Sequence, residues 1–259
     1  MKNTIENNLR AWDQRHKWSK DGDEWVGQAK LIRQPYDKWK RSLVETFIAP
    51  NIGADKVILE IAPGHGRWSK EIVDNSKELI LVDLSPSCIE HCRNTFTDYS
   101  HVTYITNDGT SLPGVEANHV DFVWSYDSFV HMDKDTIGAY FKEIEKVLKP
   151  GGKAIIHHAG RKHGVLWLSF LRHWGKTGKK MYKRISMEQP ADKKLREEGE
   201  GDGWRADVSK RIVANRAASA GLEVEDQLRF WGDNNEFGVP RFGDWITILR
   251  KPARASAGR

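Results

Sequence analysis

The stretch Val57-Ile-Leu-Glu-Ile-Ala-Pro-Gly-His-Gly-Arg-Trp-Ser69 decides the fold of this chain. It begins with a short apolar run, rich in β-branched residues, that is typical of a buried parallel strand. Gly64 and Gly66 follow, and a helical pattern then spaces Trp68 and Ile72 four residues apart. Strand, glycine turn and helix in this order build nucleotide sites in α/β sheets, because the missing β-carbons let the backbone approach a ligand.

Details of this stretch distinguish between nucleotide ligands. A dinucleotide fingerprint needs a third glycine where this chain has Ser69, which disfavours a nicotinamide reductase. Glu60 closes the strand, and a carboxylate there would repel a pyrophosphate but suit a cationic amino-acid ligand. The stretch resembles motif I of the class I S-adenosylmethionine (SAM) methyltransferases, except that Ala62 replaces the first glycine. Ala62 permits the tight turn if its φ stays negative.

Composition narrows the class of protein. The 259 residues suffice for one large α/β domain with an insertion, and 30% charged residues predict a very polar surface. The net charge of +5 permits anionic partners without demanding nucleic acid. Cys88 and Cys92 are expected to be reduced helix residues, although with His91 they form an alternative metal set. No signal peptide or membrane span is apparent, so we expect a cytoplasmic protein.

The next two predicted strands end in acidic residues. Leu79-Ile-Leu-Val-Asp83 reads as a buried strand, and an acid at the end of a second strand hydrogen-bonds ribose hydroxyls. We therefore expect Asp83 and the neighbouring Leu84 to contact the cofactor. The third strand precedes Asn107-Asp-Gly109, where the methyltransferase resemblance implies that Asp108 bonds the adenine amino group. A plain Asx turn is the alternative.

Two further predicted strands carry the candidate catalytic residues. Tyr126-Asp-Ser-Phe-Val-His131 follows the strand Val120–Ser125, at the edge where open α/β sheets bind ligands. If this segment is helical, Asp127 and His131 share a face and the carboxylate could orient the imidazole. The fifth strand ends in His157 and His158, and one of them is expected to face the cleft because strand side chains alternate.

The remaining segments surround this core. Residues 1–50 are expected to form a helical cap whose Trp18-to-Trp25 segment is either a surface loop or a lid edge over the cofactor. By the same resemblance, residues 51–251 are expected to form the methyltransferase domain. Within it, residues 160–205 fit no regular core and are expected to be a lid or dimerisation arm, with a solvated basic face as the alternative. Residues 252–259 are expected to be disordered.

The resemblance implies a doubly wound, Rossmann-like seven-stranded sheet in the order 3-2-1-4-5-7-6, with strand seven antiparallel. Phrases such as Leu59-Glu-Ile-Ala-Pro-Gly-His-Gly-Arg-Trp68, Asp127-Ser-Phe-Val-His131 and Ile156-His-His158 are similar to bacterial sugar and polysaccharide O-methyltransferases. They imply methylation of a hydroxyl on a sugar or polysaccharide precursor, with a small-molecule or oligosaccharide acceptor. The residues expected to bind SAM are Glu60, Ala62, Gly64, Gly66, Asp83, Leu84, Asp108, Gly109, Ser125 and Trp25.

A sugar hydroxyl is a poor nucleophile while protonated, so a general base should lie within hydrogen-bond reach of it. His158 is the first candidate, His131 is close behind, and His157 replaces His158 if the strand is shifted by one residue. Asp127 is expected to orient the base. As an alternative, Asp127 and Asp108 hold a divalent metal such as Mg²⁺.

Three other functions remain open from the sequence. A methyltransferase of another small molecule is one, and a non-catalytic protein with the same fold is the second. An RNA methyltransferase is the third, and its basic insertion would follow phosphates. Nucleic acid is not the expected partner, because Ser125-Tyr-Asp-Ser128 stands where base-methylating enzymes carry Asn/Asp-Pro-Pro-aromatic.

Overall fold

The computed structural model of the chain describes residues 3–16, 18, 27–160, 175–177 and 205–253. Its centre is a seven-stranded sheet in the order β3-β2-β1-β4-β5-β7-β6. The first five strands are parallel, and β7 runs antiparallel to both β5 and β6. The strands are β1 (Gly53–Ile61), β2 (Ser76–Asp83), β3 (Val102–Thr106), β4 (Val120–Phe129), β5 (Leu148–His158), β6 (Glu223–Leu228) and β7 (Trp245–Arg250). The predicted fold class and strand order are confirmed.

Seven α-helices flank the sheet within the described residues of 3–160 and 205–253. Their bounds are α1 (Ile5–Leu9), α2 (Gly27–Leu31), α3 (Tyr36–Leu43), α4 (Ser69–Ile72), α5 (Pro86–Thr95), α6 (Lys134–Val147) and α7 (Lys210–Ser219). Both α1 and α3 continue as wider π-helical turns, over Arg10–Arg15 and Val44–Ile48. Pro35 is the N-cap residue of α3.

The core has two halves, one on each face of the sheet. Because neighbouring strand side chains point to opposite faces, Leu59 packs into one half while Ile58 packs into the other. Helix α6 covers the first half through residues such as Phe141, and helix α3 covers the second through Trp39. The continuous apolar run in β1 is therefore the mark of a strand buried on both faces.

Strand β4 is longer than the sequence pattern indicates. It runs on to Phe129, and its pairing with β5 shifts register between Ser125 and Phe129. Asp127 lies inside this irregular stretch with a φ of 62°, which is left-handed backbone. The segment after Ser125 is therefore a bulged strand end, and the helical pairing of Asp127 with His131 does not form.

The alternating pattern from Leu222 to Trp231 predicts a single sixth strand, but that strand is interrupted. β6 ends at Leu228, and Phe230–Trp231 leaves the main sheet to pair with Phe237–Gly238. The Trp231 indole packs against Phe47 and donates a hydrogen bond to Ser42, so burial against the N-terminal helices takes the chain away from β7.

Most of the insertion predicted over 160–205, and residues 254–259 of the predicted tail, lie outside the described residues. Across the part of the chain that the structure describes, we find no helix with the length and apolar character needed to cross a bilayer.

The turn after β1 differs from the expectation for Ala62. Its φ is 58° rather than negative, and its N–H donates to Val82 O at 2.7 Å. A non-glycine residue in this region costs about 1–2 kcal/mol. We predict that Ala62→Gly leaves the free energy of unfolding unchanged or raises it by up to about 1 kcal/mol, because the relieved strain exceeds the added entropy of the unfolded chain.

Urea denaturation measures this change. Ala54→Gly is the matched control, since Ala54 is exposed and has no positive φ to relieve. The interpretation of strain is wrong if Ala62→Gly destabilises the protein as much as the control does.

Candidate functional site

A cleft of about 830 Å³, including its open mouth, lies at the carboxyl ends of β1, β2 and β4. The N-terminal segment around α1 covers one side of it. The lining residues are Asn8, Leu9, Trp12, Trp18, Ala62, Pro63, Gly64, His65, Arg67, Trp68, Asp83, Leu84, Ser85, Cys88, Tyr126, Asp127, Ser128, His131 and Arg205. Open α/β sheets bind ligands at this edge, so the position of the cleft agrees with the sequence expectation.

The glycine turn forms one wall of the cleft. Gly64 has a φ of 57°, and a Cβ there would lie 2.6 Å from the Trp18 ring. Gly66 has a φ of 78°, but it faces Phe96 and does not line the cleft. Both glycines were predicted to contact the cofactor, but only Gly64 lines the cleft.

Glu60 lies behind the turn rather than in the cleft. Its carboxylate is almost fully buried and accepts a 2.6 Å hydrogen bond from the Ser69 hydroxyl. Burial raises the pKa of Glu60 to about 7, although Ser69 and Arg67 favour the charged form. Glu60 thus ties the end of β1 to the start of α4, and a direct contact with the cofactor does not follow from its position.

Asp83 lies at the floor of the cleft. Its two carboxylate oxygens accept hydrogen bonds from Gly64 N at 3.2 Å and Ser85 N at 2.8 Å. Burial raises the pKa of Asp83 to about 6, against the influence of these amides. Leu84 lines the cleft beside it. A carboxylate accepts more than two hydrogen bonds, so Asp83 keeps lone pairs for a ligand.

The N-terminal segment is attached at the same point. Asp13 accepts hydrogen bonds from the Ser85 hydroxyl at 2.7 Å and from Ser87 N at 3.1 Å, at the start of α5. A carboxylate is stabilised there by the free N–H groups and the helix dipole. Trp18 in turn stacks on His65, with ring centroids 4.6 Å apart. Trp18 is therefore a wall of the cleft, whereas Trp25 lies outside the described residues.

Asp108 forms a local turn. One of its oxygens accepts from the N–H and hydroxyl groups of both Thr110 and Ser111, and the Thr110 N–H is the main reason that the pKa falls to about 2. Its exposed side chain is not in the cleft. Gly109 is closed in by Ile5 and Leu84 and does not line the cleft.

Ser125 links strands instead of lining the cleft. It is fully buried, and its hydroxyl donates to Ile61 O at 2.8 Å. The hydroxyl of Ser128 lies 2.6 Å from it and belongs to a residue that does line the cleft. The hydroxyl available to a ligand in the cleft is therefore that of Ser128 and not that of Ser125.

Asp127 is the charged centre of the opposite wall. Its carboxylate contacts Arg67 Nη2 at 3.1 Å and His157 Nδ1 at 3.2 Å. Burial would raise the pKa of Asp127, but His157, Arg67 and Arg205 together hold it well below the ordinary value. Asp127 N also lies 3.2 Å from His157 Nδ1, so that nitrogen either donates to the carboxylate or accepts from the amide, according to the tautomer.

A second buried carboxylate completes this cluster. Asp244, at the start of β7, contacts Arg205 Nη2 at 3.0 Å and lies 3.6 Å from His157 Nε2. The Gln28 amide donates to the same Asp244 oxygen at 3.4 Å. Burial raises the pKa of Asp244, with Arg205 as the main opposing influence. Two carboxylates and two guanidinium groups thus balance each other around one imidazole.

The candidate bases occupy three different environments. His131 lines the cleft, with its ring 4.9 Å from Trp12 and its Nε2 3.4 Å from Arg205 Nη1. His157 lies behind Asp127 and is fully buried. His158 points away from the cleft and bonds Ala159 O at 2.8 Å and the Thr247 hydroxyl at 2.7 Å. Burial lowers the pKa of His158 to about 4. This placement favours His131 over His158.

The residues do not fit the suggested metal pair. Asp127 lies between two guanidinium groups, and Asp108 is engaged in its own turn. Among the described residues, no three His, Cys, Asp or Glu side chains gather as a metal site would require. Cys88 and Cys92 are buried free thiols on α5.

Several residues of the cleft were not among the site residues predicted from the sequence. Arg67 and Tyr126 belong to the quoted stretches but were not assigned roles, although a charged residue directly after a glycine turn is a usable signal. Trp12 and Arg205 come from distant segments, and no local pattern points to them.

Comparisons with known proteins agree with this geometry. A family model described as a methyltransferase domain matches residues 58–152. The chain is 30% identical over 151 residues to phosphoethanolamine N-methyltransferase 1 of Triticum aestivum, a match that covers 56% of this chain and 30% of the wheat protein. The corresponding Zea mays protein is 28% identical over 117 residues, covering 45% of this chain and 23% of that protein. The chain thus spans less than a third of these relatives.

Solved structures share the fold. The N-methyltransferase NodS of Bradyrhizobium japonicum, in complex with S-adenosyl-L-homocysteine, has a TM-score of 0.57 at 13% identity, covering 96% of this chain and 98% of NodS. The geranyl diphosphate C-methyltransferase of Streptomyces coelicolor has a TM-score of 0.59 at 12% identity, covering 95% of this chain and 97% of that one. At identities this low, the similarity shows a shared fold and nothing about function.

The buried Glu60 predicts a pH dependence of stability. Its folded pKa of about 7 exceeds the ordinary value of 4.5, so between these pH values the folded state holds a proton that the unfolded state has lost. Stability therefore falls as pH rises through this window, by up to about 1.4 kcal/mol per unit from this group. We predict that Glu60→Gln reduces this slope and is the more stable variant above pH 7.

Denaturant titrations of the ligand-free protein between pH 5 and 8 measure the slope. Glu116→Gln, at an exposed position before β4, is the matched control and should keep the wild-type slope. Equal slopes in wild type and Glu60→Gln would contradict a raised pKa at Glu60.

Proposed function

We propose that this chain, which carries a SAM-dependent methyltransferase domain of the class I fold, methylates a hydroxyl group of a sugar or polysaccharide precursor. The observation that carries the proposal is the cleft itself. It has the Asp83 carboxylate at the end of β2 on one side and the Asp127-to-His131 segment at the end of β4 on the other. The first suits a nucleoside and the second a reacting acceptor.

The first side of the cleft supports cofactor binding. The remaining lone pairs of Asp83 are available to ribose hydroxyls, and the Leu84 side chain beside it offers an apolar surface to an adenine ring. Ala62 and Gly64 offer backbone to the amino-acid end of SAM. Trp12 and Trp18 exclude water from the ligand.

The second side supports proton removal from the acceptor. When bound, SAM supplies an electrophilic methyl group on its sulfonium. His131 is the proposed base, because it is the candidate histidine that lines the cleft. Its Nε2 lies 3.4 Å from Arg205 Nη1, which can only donate, so the acceptor hydroxyl would have to take the place of Arg205 before this nitrogen accepts its proton. The acceptor oxygen would then bond to the methyl carbon, and the C–S electron pair would stay with the sulfur. Asp127 and His157 fix the wall beside it.

The sugar acceptor is supported by the resemblance of several phrases and by the absence of the base-methylating signature at Ser125-Tyr-Asp-Ser128. A radiolabelled-methyl assay on purified glycans and on total RNA tests it. Saturable labelling of glycans is expected, and saturable labelling of RNA alone would overturn the acceptor class.

An amine acceptor is the second candidate. The similarity to phosphoethanolamine N-methyltransferase over 151 residues favours it. The balanced charges around Asp127 and the aromatic rings of Trp12, Trp18 and His65 are compatible with a small amine. Parallel assays with small alcohols and small amines separate the two candidates.

Removal of the Asp83 carboxylate should weaken cofactor binding. We predict that Asp83→Ala lowers the affinity for S-adenosylhomocysteine by about 1–3 kcal/mol, because ribose hydroxyls then lose their acceptor. Isothermal calorimetry measures it. Asp135→Ala, an exposed change on α6 that removes an ion pair with Arg216, is the control and should bind normally. Unchanged affinity in Asp83→Ala would remove the assignment.

Substitution of His131 should affect catalysis, whereas substitution of His158 should affect stability. We predict that His131→Ala lowers turnover by about a hundredfold to ten-thousandfold while binding S-adenosylhomocysteine normally. His158→Ala should mainly lower the free energy of unfolding, because it leaves the buried Thr247 hydroxyl with one partner fewer. Turnover and urea denaturation of both variants provide the comparison, and near-normal turnover of His131→Ala would eliminate it as the base.

A further inference from the structure

Three buried polar atoms at the inner wall of the cleft have no hydrogen-bond partner among the described residues. They are Arg67 Nη1, Trp68 Nε1 and the Tyr126 hydroxyl. All three residues line the cleft, and each is at least nine-tenths buried. Proteins pair the great majority of buried polar atoms, so three orphans in one wall call for an explanation.

The guanidinium of Arg67 is held in place from several sides. Nη2 contacts the Asp127 carboxylate at 3.1 Å, while the guanidinium carbon lies 4.8 Å from the centre of the Trp68 ring and 5.6 Å from that of Tyr126. Burial opposes the charge, but Asp127 outweighs it and raises the pKa of Arg67. The side chain is therefore a charged, fixed fork with one arm occupied and one arm unpaired.

The chemistry of the orphans defines their ligand. Arg67 Nη1 and Trp68 Nε1 are donors only, and the Tyr126 hydroxyl can donate. Oxygens of an anionic group match such a set, and guanidinium forks bind carboxylates and phosphates with the best geometry. We infer that Arg67, Trp68 and Tyr126 form a subsite for an anionic oxygen group of a ligand in the cleft.

This inference rests on the proposed function, which offers two sources for the group. One is the carboxylate at the amino-acid end of SAM, and the other is a carboxylate or phosphate on the acceptor. The nearby charges of Asp127, Asp244, Arg67 and Arg205 already balance. A carboxylate that brings its own ammonium group adds no net charge, which favours the cofactor as the source.

The experiment compares ligands with and without the anionic group. S-adenosylhomocysteine carries the amino-acid carboxylate, whereas 5′-methylthioadenosine shares its nucleoside and lacks the amino acid. Calorimetry of wild type, Arg67→Gln and Tyr126→Phe with both ligands tests the cofactor source. Thermal stabilisation by inorganic phosphate, with methylthioadenosine present, tests the acceptor source. Arg216→Gln, at a half-exposed position on α7, is the control for loss of an arginine.

We expect Arg67→Gln to bind S-adenosylhomocysteine about tenfold to a hundredfold more weakly and methylthioadenosine normally. Tyr126→Phe should weaken S-adenosylhomocysteine severalfold without lowering the unfolding midpoint, because it removes an unpaired hydroxyl. If both variants bind S-adenosylhomocysteine normally but Arg67→Gln loses the phosphate effect, the subsite stands and belongs to the acceptor.

Normal binding of S-adenosylhomocysteine together with a normal phosphate effect in folded Arg67→Gln and Tyr126→Phe overturns the subsite. Failure of the proposed function looks different, because wild type would then bind neither nucleoside ligand. In that case, thermal stabilisation by phosphate is measured without nucleoside, and its loss in Arg67→Gln alone decides whether the subsite exists.

Discussion

The carboxylate of Asp83 joins the two turns from which the cleft is built. One oxygen accepts from Gly64 N after β1, and the other accepts from Ser85 N after β2. Since β1 and β2 are parallel neighbours, these bonds fix the two turns relative to each other. Ser85 extends the link to Asp13, so the cover formed by the N-terminal segment depends on the same point. Burial of a carboxylate is unfavourable, and the paired amides offset that cost.

Asp127 organises the other wall by charge rather than by backbone pairing. The backbone of Asp127 is left-handed, and its carboxylate is surrounded by Arg67, Arg205 and His157. Strained residues of this kind persist where the surroundings hold them, and they concentrate at functional sites. Ala62 has the same strained conformation at the end of β1. Ala62 and Asp127, the two non-glycine residues with a positive φ at the carboxyl ends of central strands, both line the cleft.

The local pattern in β1, together with its glycine turn, sufficed to predict the sheet and the position of the cleft, and the family resemblance supplied the strand order. Two features resisted such reasoning. The positive φ of Ala62 occurs together with a hydrogen bond to Val82 on a neighbouring strand, which no local pattern contains. Alternation along β5 separates His157 from His158, but their partners Asp244 and Thr247 come from β7, far along the chain. The sequence could therefore nominate histidines without ranking them.

We propose that this cleft binds SAM with its nucleoside at Asp83 and its reactive sulfur at the wall of Asp127 and His131. A crystal structure of the protein with S-adenosylhomocysteine tests it most directly. We predict ribose hydroxyls within hydrogen-bond distance of the Asp83 carboxylate, adenine beside Leu84, and the sulfur facing the Asp127-to-His131 segment. A nucleoside bound elsewhere, or bound in this cleft in the reverse direction, would contradict it.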